Sequence, residues 1–309
     1  MNLINSEPII IGIDHGYGNI KTAHYCFRTG VTAYDKEPTF KRNMLVYDGR
    51  YYIVGDEHKE FTADKMNDQD YYVLTLAAIA WELNRRDLAS ARVHLATGLP
   101  LTWVSEQKER FKAYLLQHES ADFSFRGVDF HVELTGADVF PQGFSAVADR
   151  LREFQGTNML CDIGNGTMNV MYINERRPLQ KLCFTEKYGT NQCMLAVRES
   201  LMRQFGVSVD EVVIDRVIRT GMADLSDRYL AAIREAAETY VDGIFRRLRE
   251  HEYDPELMRL FVVGGGGCMI RNFGQYDPDR VIIYDDICAT AKGYEFLAKA
   301  QLQRRNRIV

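Results

Sequence analysis

The sequence predicts an α/β protein built from two similar halves. An apolar run at Pro8–Ile13 leads into Asp14–Gly18, and a second apolar run at Asn158–Asp162 leads into Asp162–Gly166. Both copies read Asp-x-Gly-x-Gly, and strand-like and helix-like patterns alternate after each of them. A chain of 309 residues is long enough for two domains, so the repeat indicates two domains of related construction.

The composition is that of an ordinary globular protein. Hydrophobic residues make up 46% of the chain and charged residues 26%, and the net charge is −5. This charge draws the protein neither to nucleic acid directly nor to an anionic membrane. None of the six cysteines forms a C-x-x-C pair, and neither a signal peptide nor a membrane span is evident. We therefore expect a cytoplasmic protein with reduced thiols.

The first half reads as strands interrupted by two helices. The predicted elements are, in order, a strand at Pro8–Ile13, its return strand at Ile20–Arg28, a hairpin of Met44–Val46 and Tyr51–Val54 around Asp48-Gly49, a helix at Gln69–Asn84, a strand at Arg92–Thr97, a helix at Trp103–His118, a hairpin over Asp122–Leu134 turning at Gly127, and a short extended piece at Asp138–Phe140. Pro141 then predicts a helix that runs to about Phe154, since proline favours the first turn.

The second half repeats the strand–hairpin start and then becomes helical. The predicted elements are strands at Asn158–Asp162, Met168–Ile173 and Leu179–Phe184, helices at Asn191–Gln204, Asp210–Arg219 and Asp227–His251, strands at Arg259–Val263 and Val281–Tyr284, and a last helix at Asp286–Gln301. We place a first domain at residues 1–143, to which the C-terminal segment 286–309 returns, and a second domain at residues 144–285.

Each glycine hairpin has the features of a phosphate site. Glycines bring unpaired backbone N–H groups close to an anion, because no Cβ intervenes. Asp14 and Asp162, at the strand ends, are placed to hold Mg²⁺ through its waters. Lys21 can reach back to the β- and γ-phosphates. A single hairpin of this kind would be an ordinary turn, and the repetition is what favours phosphate binding.

A third glycine run, Gly264–Gly267, follows the strand that ends at Val263 and predicts a platform for a nucleoside. Met269 and Ile270 could then line the base. The alternative is a plain strand-to-helix turn. The full set of predicted nucleotide contacts is Gly16, Tyr17, Gly18, Asn19, Lys21, Gly164, Asn165, Gly166, Thr167, Gly264, Gly265, Gly266 and Met269.

Gln142 is the candidate catalytic residue together with Asp14 and Asp162. In the first turn of the predicted helix, its amide would point at the γ-phosphate. An amide is a weak base, but it can orient an attacking water. The alternative for Gln142 is an exposed polar residue at a helix start.

These motifs resemble those of the actin/Hsp70/sugar-kinase ATPase superfamily. Asp14–Lys21 resembles its first phosphate motif, Asp162–Thr167 the second and Val262–Gly266 the adenosine motif, while Val139–Ala148 and Ala289–Gly293 resemble its two connecting helices. The resemblance implies a two-domain actin-like, ribonuclease H-like fold with the nucleotide cleft between the domains. It also implies ATP or GTP with Mg²⁺ as ligands.

Within the superfamily, the chain most resembles the bacterial plasmid-segregation actins, the ParM/StbA family, in its Gly-x-Gly-Asn-Ile-Lys motif and its compact length. That resemblance implies nucleotide-driven filaments that move plasmid DNA through a DNA-binding adaptor protein. The alternatives are a small-molecule kinase, or another ATPase of the superfamily that forms no filaments.

Two further features have structural interpretations. We expect His15, inside the first loop, to face outward, because the backbone does the binding there. Tyr51, Tyr52, Tyr71 and Tyr72 could cover a contact between subunits, but the core of a subdomain is the favoured interpretation.

Overall fold

The computed structural model describes residues 7–56 and 69–306. The chain divides into two compact units: unit 1 comprises the described residues up to Asp149 and from Cys288 onwards, and unit 2 spans Arg150–Ile287. Within the described ranges, no helix combines the length and the hydropathy needed to cross a membrane.

Fifteen strands and seven α-helices make up the described chain. The strands are β1 (Ile9–His15), β2 (Asn19–Lys21), β3 (Cys26–Arg28), β4 (Val31–Tyr34), β5 (Met44–Tyr47), β6 (Arg50–Val54), β7 (Ser90–Leu99), β8 (Ser120–Phe125), β9 (Val128–Pro141), β10 (Thr157–Ile163), β11 (Met168–Asn174), β12 (Arg177–Pro178), β13 (Phe184–Glu186), β14 (Arg259–Val263) and β15 (Val281–Ile283). The helices are α1 (Gln69–Asn84), α2 (Leu101–Leu115), α3 (Thr190–Phe205), α4 (Glu211–Thr220), α5 (Asp227–Glu250), α6 (Gly267–Phe273) and α7 (Ala289–Asn306).

Unit 1 is organised around one mixed sheet in the order β3-β2-β1-β7-β9-β8-β5-β6-β4. The central strands β1, β7 and β9 run parallel, and antiparallel hairpins extend the sheet on both sides. Parallel strands are covered on both faces, which is why β1 and β7 read as nearly continuous apolar runs. Helix α1 is buried from Tyr71 to Leu83, so it forms the centre of the core.

Unit 2 contains the second sheet, in the order β12-β11-β10-β14-β15, with β13 also paired to β11. Strands β10, β14 and β15 are parallel, and β11 returns antiparallel to β10. The amphipathic helices α3, α4 and α5 bury their apolar stripes in one core. Asp210 caps α4 by accepting the Val212 N–H at 2.8 Å. The two sheets confirm the predicted α/β class.

The turn chemistry that the sequence predicts is largely confirmed. The Asp48-Gly49 turn joins β5 to β6 with both φ angles positive, 51° and 72°, as a tight two-residue hairpin requires. The hairpin of β8 and β9 turns at Gly127. Tyr71 and Tyr72 are fully buried, which confirms that these two rings belong to a core.

The predicted helix from Pro141 to Phe154 is wrong. Strand β9 continues to Pro141, which pairs with Leu99 of β7, and the Gln142 N–H donates to the Leu99 carbonyl at 2.8 Å. Gly143 then has φ 76°, which an α-helix does not allow. Only two short 3-10 turns follow, at Phe144–Val147 and Leu151–Glu153. The ladder with β7 overrides the helix signal of the proline.

Two other strand predictions differ from the structure. The return strand expected at Ile20–Arg28 is divided into β2 and β3, because the Thr22 N–H bonds to the Tyr25 carbonyl at 2.8 Å and closes a turn. The Thr22 hydroxyl fixes that turn by donating to the buried Glu82 carboxylate at 2.6 Å. The strand expected at Leu179–Phe184 is also wrong, since a 3-10 turn occupies residues 180–182 and the pairing with β11 begins only at Phe184.

Helix α7 lies against β1, β7 and the 3-10 turn at Phe144–Val147 at very short range. A Cβ on Gly12 would be 2.0 Å from the Ala291 carbonyl oxygen, and a Cβ on Gly293 would be 1.7 Å from the Ser145 carbonyl oxygen. The buried Glu295 also accepts the Gly12 N–H at 3.1 Å. Glycine is therefore required on both sides of this contact. The helix begins at Ala289, three residues later than the expected Asp286.

We predict that Gly293→Ala destabilises the protein by about 1–3 kcal/mol or more, as overpacking of backbone does. Helix propensity alone predicts the opposite result, because alanine is more favourable than glycine inside a helix by about 1 kcal/mol. Urea unfolding measures the effect. Gln303→Ala, at an exposed position of the same helix, is the control. Equal stability of Gly293→Ala and the wild type would contradict the observed packing.

Candidate functional site

The first glycine hairpin joins β1 to β2 in unit 1. Asp14 pairs with Lys21 and His15 with Ile20, so Gly16–Gly18 form the turn. A Cβ on Gly16 would be 2.6 Å from the Asn19 carbonyl oxygen, and the turn therefore closes only with glycine at that position.

Three of the predicted functional side chains meet at Asp14. One carboxylate oxygen, Oδ2, is 3.3 Å from the Lys21 ammonium, and the other, Oδ1, accepts the Gln142 amide N–H at 3.2 Å. Asp14 is only 6% exposed, so the carboxylate is largely desolvated and its two partners offset that cost. The structure thus brings a carboxylate, a cation and an amide together at the carboxyl end of β1.

Gln142 reaches this place from the end of β9. Gln142 directly follows Pro141, the last residue of β9 that pairs with β7, and the sheet therefore positions it. The carboxyl ends of parallel strands are where open α/β sheets bind ligands. Gln142 thus lies beside Asp14, although the predicted helix that was to carry it does not form, and its role at a γ-phosphate stays a prediction.

His15 is buried, and the expectation that it faces outward is wrong. Its ring nitrogens lie 2.9 Å from the Thr97 hydroxyl and 2.9 Å from the Thr75 hydroxyl. The imidazole therefore links the end of β1 to β7 and to α1, directly beside Asp14. Alternation along a strand directs residues 14 and 15 to opposite faces, which is why one is at the site and the other in the core.

Tyr17 is at the tip of the same hairpin and is partly buried. Burial raises the pKa of its phenol to about 12. The side chain therefore stays neutral at physiological pH and adds no negative charge near the turn.

The second hairpin joins β10 to β11 in unit 2, with Asp162 opposite Asn169. The Gly164 N–H donates to the Thr167 carbonyl at 2.8 Å and closes the turn. The N-terminus of helix α3 supports this turn through two hydrogen bonds. The Thr190 N–H donates to the Gly164 carbonyl at 3.1 Å, and the Asn191 N–H donates to the Asn165 carbonyl at 2.9 Å. A Cβ at Gly164 would meet only the Thr167 carbonyl, at 3.5 Å.

The glycine run Gly264–Gly266 lies against the end of β10. The Gly266 N–H donates to the Ile163 carbonyl at 2.9 Å, and a Cβ on Gly266 would be 2.3 Å from the Ile163 side chain. A Cβ on Gly264 would be 2.5 Å from an Asp162 carboxylate oxygen. Gly265 differs from both, because a Cβ there would meet no heavy atom within 4 Å. The run therefore places Asp162 beside an open stretch of backbone.

The prediction that Met269 lines a base is not supported. Met269 and Ile270 are 0% and 1% exposed and pack in the core of unit 2. The half-buried Cys268 lies beside them; burial raises the pKa of its thiol, which keeps it protonated. The helix period explains the error, since the first turn of α6 directs Met269 into the core of unit 2.

Sequence reasoning missed the support of the second hairpin. A Cβ on Gly189 would be 2.2 Å from the Asn165 carbonyl oxygen, and the Tyr240 hydroxyl donates to the Gly189 carbonyl at 2.9 Å. The Thr190 hydroxyl also donates to the Asn165 side-chain oxygen at 3.1 Å. The only signal in the sequence is a glycine immediately before a helical pattern, which reads equally well as an ordinary helix start.

The carboxylates suit a metal that keeps its waters. Across residues 7–56 and 69–306, no three His, Cys, Asp or Glu side chains cluster so that they could hold an ion directly. Asp14 and Asp162 each stand at the end of a strand, beside a glycine turn. Mg²⁺ is usually bound through one or two carboxylates while it retains several waters, so each of these carboxylates, taken by itself, fits Mg²⁺ better than Zn²⁺ or Ca²⁺.

The sequence matches two domain families. The family described as the N-terminal domain of actin-like proteins matches residues 12–144, and the family described as the C-terminal domain of archaeal MreB-like actin homologues matches residues 160–273. None of the curated proteins matches the sequence.

Several solved structures share the fold. The archaeal actin homologue Ta0583 is 20% identical, with a TM-score of 0.74 over 94% of this chain and 99% of its own. ParM of Bacillus thuringiensis, solved with ATP, is 13% identical, with a TM-score of 0.69 over 96% of this chain and 100% of its own. The Alp12 filament subunit is 14% identical, with a TM-score of 0.70 over 96% and 100%. The two domain families, which between them match residues 12–144 and 160–273, show that the chain belongs to the actin-like protein family.

Proposed function

We propose that this protein binds ATP or GTP with Mg²⁺, hydrolyses it, and assembles into filaments while the triphosphate is bound. The observation that carries the proposal is the meeting of Asp14, Lys21 and Gln142 at the carboxyl end of β1. A carboxylate, a cation and an orienting amide are the groups that hydrolysis of a γ-phosphate uses.

Phosphate binding is supported by both glycine turns. We propose that the backbone N–H groups of Gly16–Asn19 and of Gly164–Thr167 receive phosphate oxygens, and that Gly265 lies against the nucleoside. The open space at Gly265 supports this role. Ta0583 has been solved in complex with ADP and the Bacillus thuringiensis ParM with ATP, which supports nucleotide binding in proteins of this fold.

The hydrogen bond to Asp14 sets the orientation of the Gln142 amide. A carboxylate oxygen can only accept, so the amide nitrogen must face Asp14. The amide oxygen is then directed away from Asp14, and it can accept an O–H bond from a water. We propose that Gln142 holds the attacking water in this way. Bound Mg²⁺ supplies charge neutralisation for the phosphates.

Filament formation is supported by the structural similarity to proteins such as the subunit of the Alp12 filament. We further propose that the filament segregates plasmid DNA through a DNA-binding adaptor protein. The net charge of −5 supports an adaptor rather than direct contact with DNA.

Light scattering and pelleting of the purified protein test the proposal. Both signals should rise when ATP or GTP is added with Mg²⁺ and fall as the triphosphate is consumed. A protein that remains monomeric at high concentration with either nucleotide would remove the filament from the proposal. Turnover of a phosphorylated acceptor far above hydrolysis would indicate a small-molecule kinase.

Gln142→Ala should slow hydrolysis by about 10²-fold, because an oriented water is lost. Nucleotide affinity should stay within about threefold of the wild type. Phosphate release and equilibrium binding of a fluorescent nucleotide measure the two effects. Gln107→Ala, a half-buried glutamine on α2, is the matched control. Loss of affinity with unchanged hydrolysis would assign Gln142 to binding instead.

Substitutions at the neighbouring glycines Gly265 and Gly266 distinguish an effect on nucleotide binding from an effect on stability. Gly265→Ala should leave the free energy of unfolding nearly unchanged, since its Cβ enters open space, but should weaken nucleotide binding about tenfold or more. Gly266→Ala should destabilise the fold, because its Cβ would be 2.3 Å from Ile163. Thermal unfolding with and without nucleotide separates the two variants. If Gly265→Ala binds nucleotide normally, the nucleoside lies elsewhere.

Asp162→Asn should abolish the Mg²⁺ dependence of nucleotide binding while leaving the fold intact, because the amide keeps the shape of the carboxylate and removes its charge. Titration of Mg²⁺ against a fixed nucleotide concentration measures this. Asp210→Asn, at the exposed cap of α4, is the control. A variant that retains the Mg²⁺ response would contradict the role of Asp162.

A further inference from the structure

Three arginines line a groove of about 460 Å³ at the amino ends of the parallel strands of unit 2. Arg152 comes from the second 3-10 turn, Arg259 begins β14, and Arg280 directly precedes β15. We call it the arginine groove. The hairpin after β10 and the glycine run after β14 lie at the opposite, carboxyl ends of those strands. The arginine groove is therefore separate from the glycine turns to which we assign the nucleotide.

The positive charge of the arginine groove is not neutralised by the described part of the chain. Within residues 7–56 and 69–306, none of its three arginines forms an ion pair with a carboxylate. Arg280 donates instead to the carbonyls of Pro255 at 2.6 Å and Glu256 at 2.5 Å. Glu153 is the one carboxylate among the described lining residues, and it accepts the Tyr284 hydroxyl at 2.5 Å. The lining has a net charge of about +2 at neutral pH, although the whole protein has a charge of −5.

The acidic loops beside Arg280 leave this surplus in place. The carboxylates at positions 254, 256, 277 and 279 do not line the groove. Asp254 accepts the Glu256 N–H at 2.8 Å, and Asp277 accepts the Asp279 N–H at 2.9 Å. Both of these carboxylates therefore bond to the backbone of their own loops.

The sheet holds two of the arginines side by side. Leu260 of β14 pairs with Val281 of β15, so Arg259 and Arg280 occupy neighbouring positions one residue earlier. The Leu260 N–H donates to the Arg280 carbonyl at 2.9 Å and fixes this register. Like charges at neighbouring positions of adjacent strands are destabilising. A bound anion would remove this repulsion, so the groove favours a negatively charged ligand.

Apolar side chains accompany the cations. Phe261 and Ile282 pair across β14 and β15, two residues beyond the arginines, which places them on the same face of the sheet. Phe261 is buried against Phe154, with ring centroids 4.0 Å apart, while Ile282 is half-buried. Leu257, which also lines the groove, is 76% exposed. The groove thus presents guanidinium groups and accessible apolar surface together.

We propose that the arginine groove binds an acidic segment of a partner protein, with carboxylates on the arginines and an apolar side chain against Leu257 and Ile282. The planar guanidinium group binds a carboxylate through two parallel N–H bonds, which the ammonium group of lysine does not offer. Arginine is also enriched where proteins meet. The contact uses neither the glycine turns nor Gln142, so it goes beyond the proposed function and does not rest on it.

An acidic segment fits the arginine groove better than nucleic acid or a small phosphate does. Proteins that bind duplex DNA strongly make about 6–10 phosphate contacts, and three arginines supply too few. A free phosphate would meet the arginines but leave Leu257 exposed to water. A peptide that combines carboxylates with an apolar side chain contacts both parts of the groove.

Fluorescence anisotropy with the full chain tests the proposal. The probe is a labelled peptide of repeating Glu-Glu-Leu, and two comparison peptides replace every Leu by Ser or every Glu by Gln. The wild type should bind the probe about tenfold or more tightly than either comparison peptide, because each of these lacks one part of the contact. Affinity for the probe should fall as ionic strength rises, since exposed charges are screened.

Charge reversal in the groove should weaken binding of the probe about tenfold or more. The variant is Arg152→Glu with Arg259→Glu; both side chains are exposed, and neither forms a hydrogen bond within the described ranges. Arg176→Glu with Lys187→Glu makes the same change of charge at exposed positions outside the groove and should bind the probe like the wild type. Thermal unfolding and nucleotide binding should be unchanged in both variants.

Leu257→Ser tests the apolar part of the contact separately. It should lower affinity for the probe about tenfold but leave affinity for the serine peptide unchanged, because only the probe has an apolar side chain to lose. The free energy of unfolding should stay the same, since Leu257 is largely exposed. A loss of affinity that is equal for both peptides would contradict the proposed contact.

The remaining outcomes identify other ligands. If the wild type does not bind the probe, or the groove variant binds it normally, the proposal is wrong. If the groove variant instead loses retention of a DNA duplex, the groove is a nucleic-acid surface. If inorganic phosphate displaces the probe and Leu257→Ser has no effect, the groove is a site for small anions, which also overturns the proposal.

Discussion

The structure of unit 1 depends on the close approach of backbone at three glycines. Helix α7 follows the whole of unit 2 in the chain, yet it lies on β1 at Gly12, on β7 at Gly98, and on the 3-10 turn of Phe144–Val147 at Gly293. A Cβ at Gly98 would be 2.2 Å from the Tyr294 hydroxyl oxygen. A side chain at any of these positions would push the helix away from the sheet or from the 3-10 turn. The central parallel strands, and with them the functional residues at their ends, are held in place by this contact.

In unit 2, glycines likewise allow close packing around the hairpin between β10 and β11. The turn after β10 is supported by α3 through Gly189, and the run before α6 lies on Ile163 through Gly266. Where the backbone must pack, a Cβ has no room; where a ligand is proposed to lie, at Gly265, the space is open. Two different physical requirements therefore account for these glycines: close packing of backbone at Gly189 and Gly266, and room for the proposed ligand at Gly265.

The electrostatics of the first hairpin follow from its position on the sheet. Asp14 is nearly buried, and its charge is offset by Lys21 from the return strand and by the Gln142 amide from β9. On the opposite face, His15 fixes the same strand end to α1 and β7 through Thr75 and Thr97. The carboxylate thus contacts the side chains of Lys21 and Gln142, and the strand end that carries it is fixed to β7 and α1. A group held in this way loses little freedom when a ligand binds, which is the condition for efficient positioning.

The sequence by itself determined the repeated Asp-x-Gly-x-Gly hairpins, the α/β class and the long helices, because strand alternation, helix period and glycine turns are local signals. That Gln142 reaches Asp14, 128 residues away in sequence, was decided by the β7–β9 ladder. It could not determine that Pro141 ends a strand, that His15 is buried, or that Met269 points into the core. Those outcomes depend on the β7–β9 ladder, on hydroxyls 60 and 82 residues away in sequence, and on the packing of α6 against α4 and α5 in the core of unit 2. Tertiary contacts between distant segments outweigh local propensity at these positions, so only the folded structure decides them.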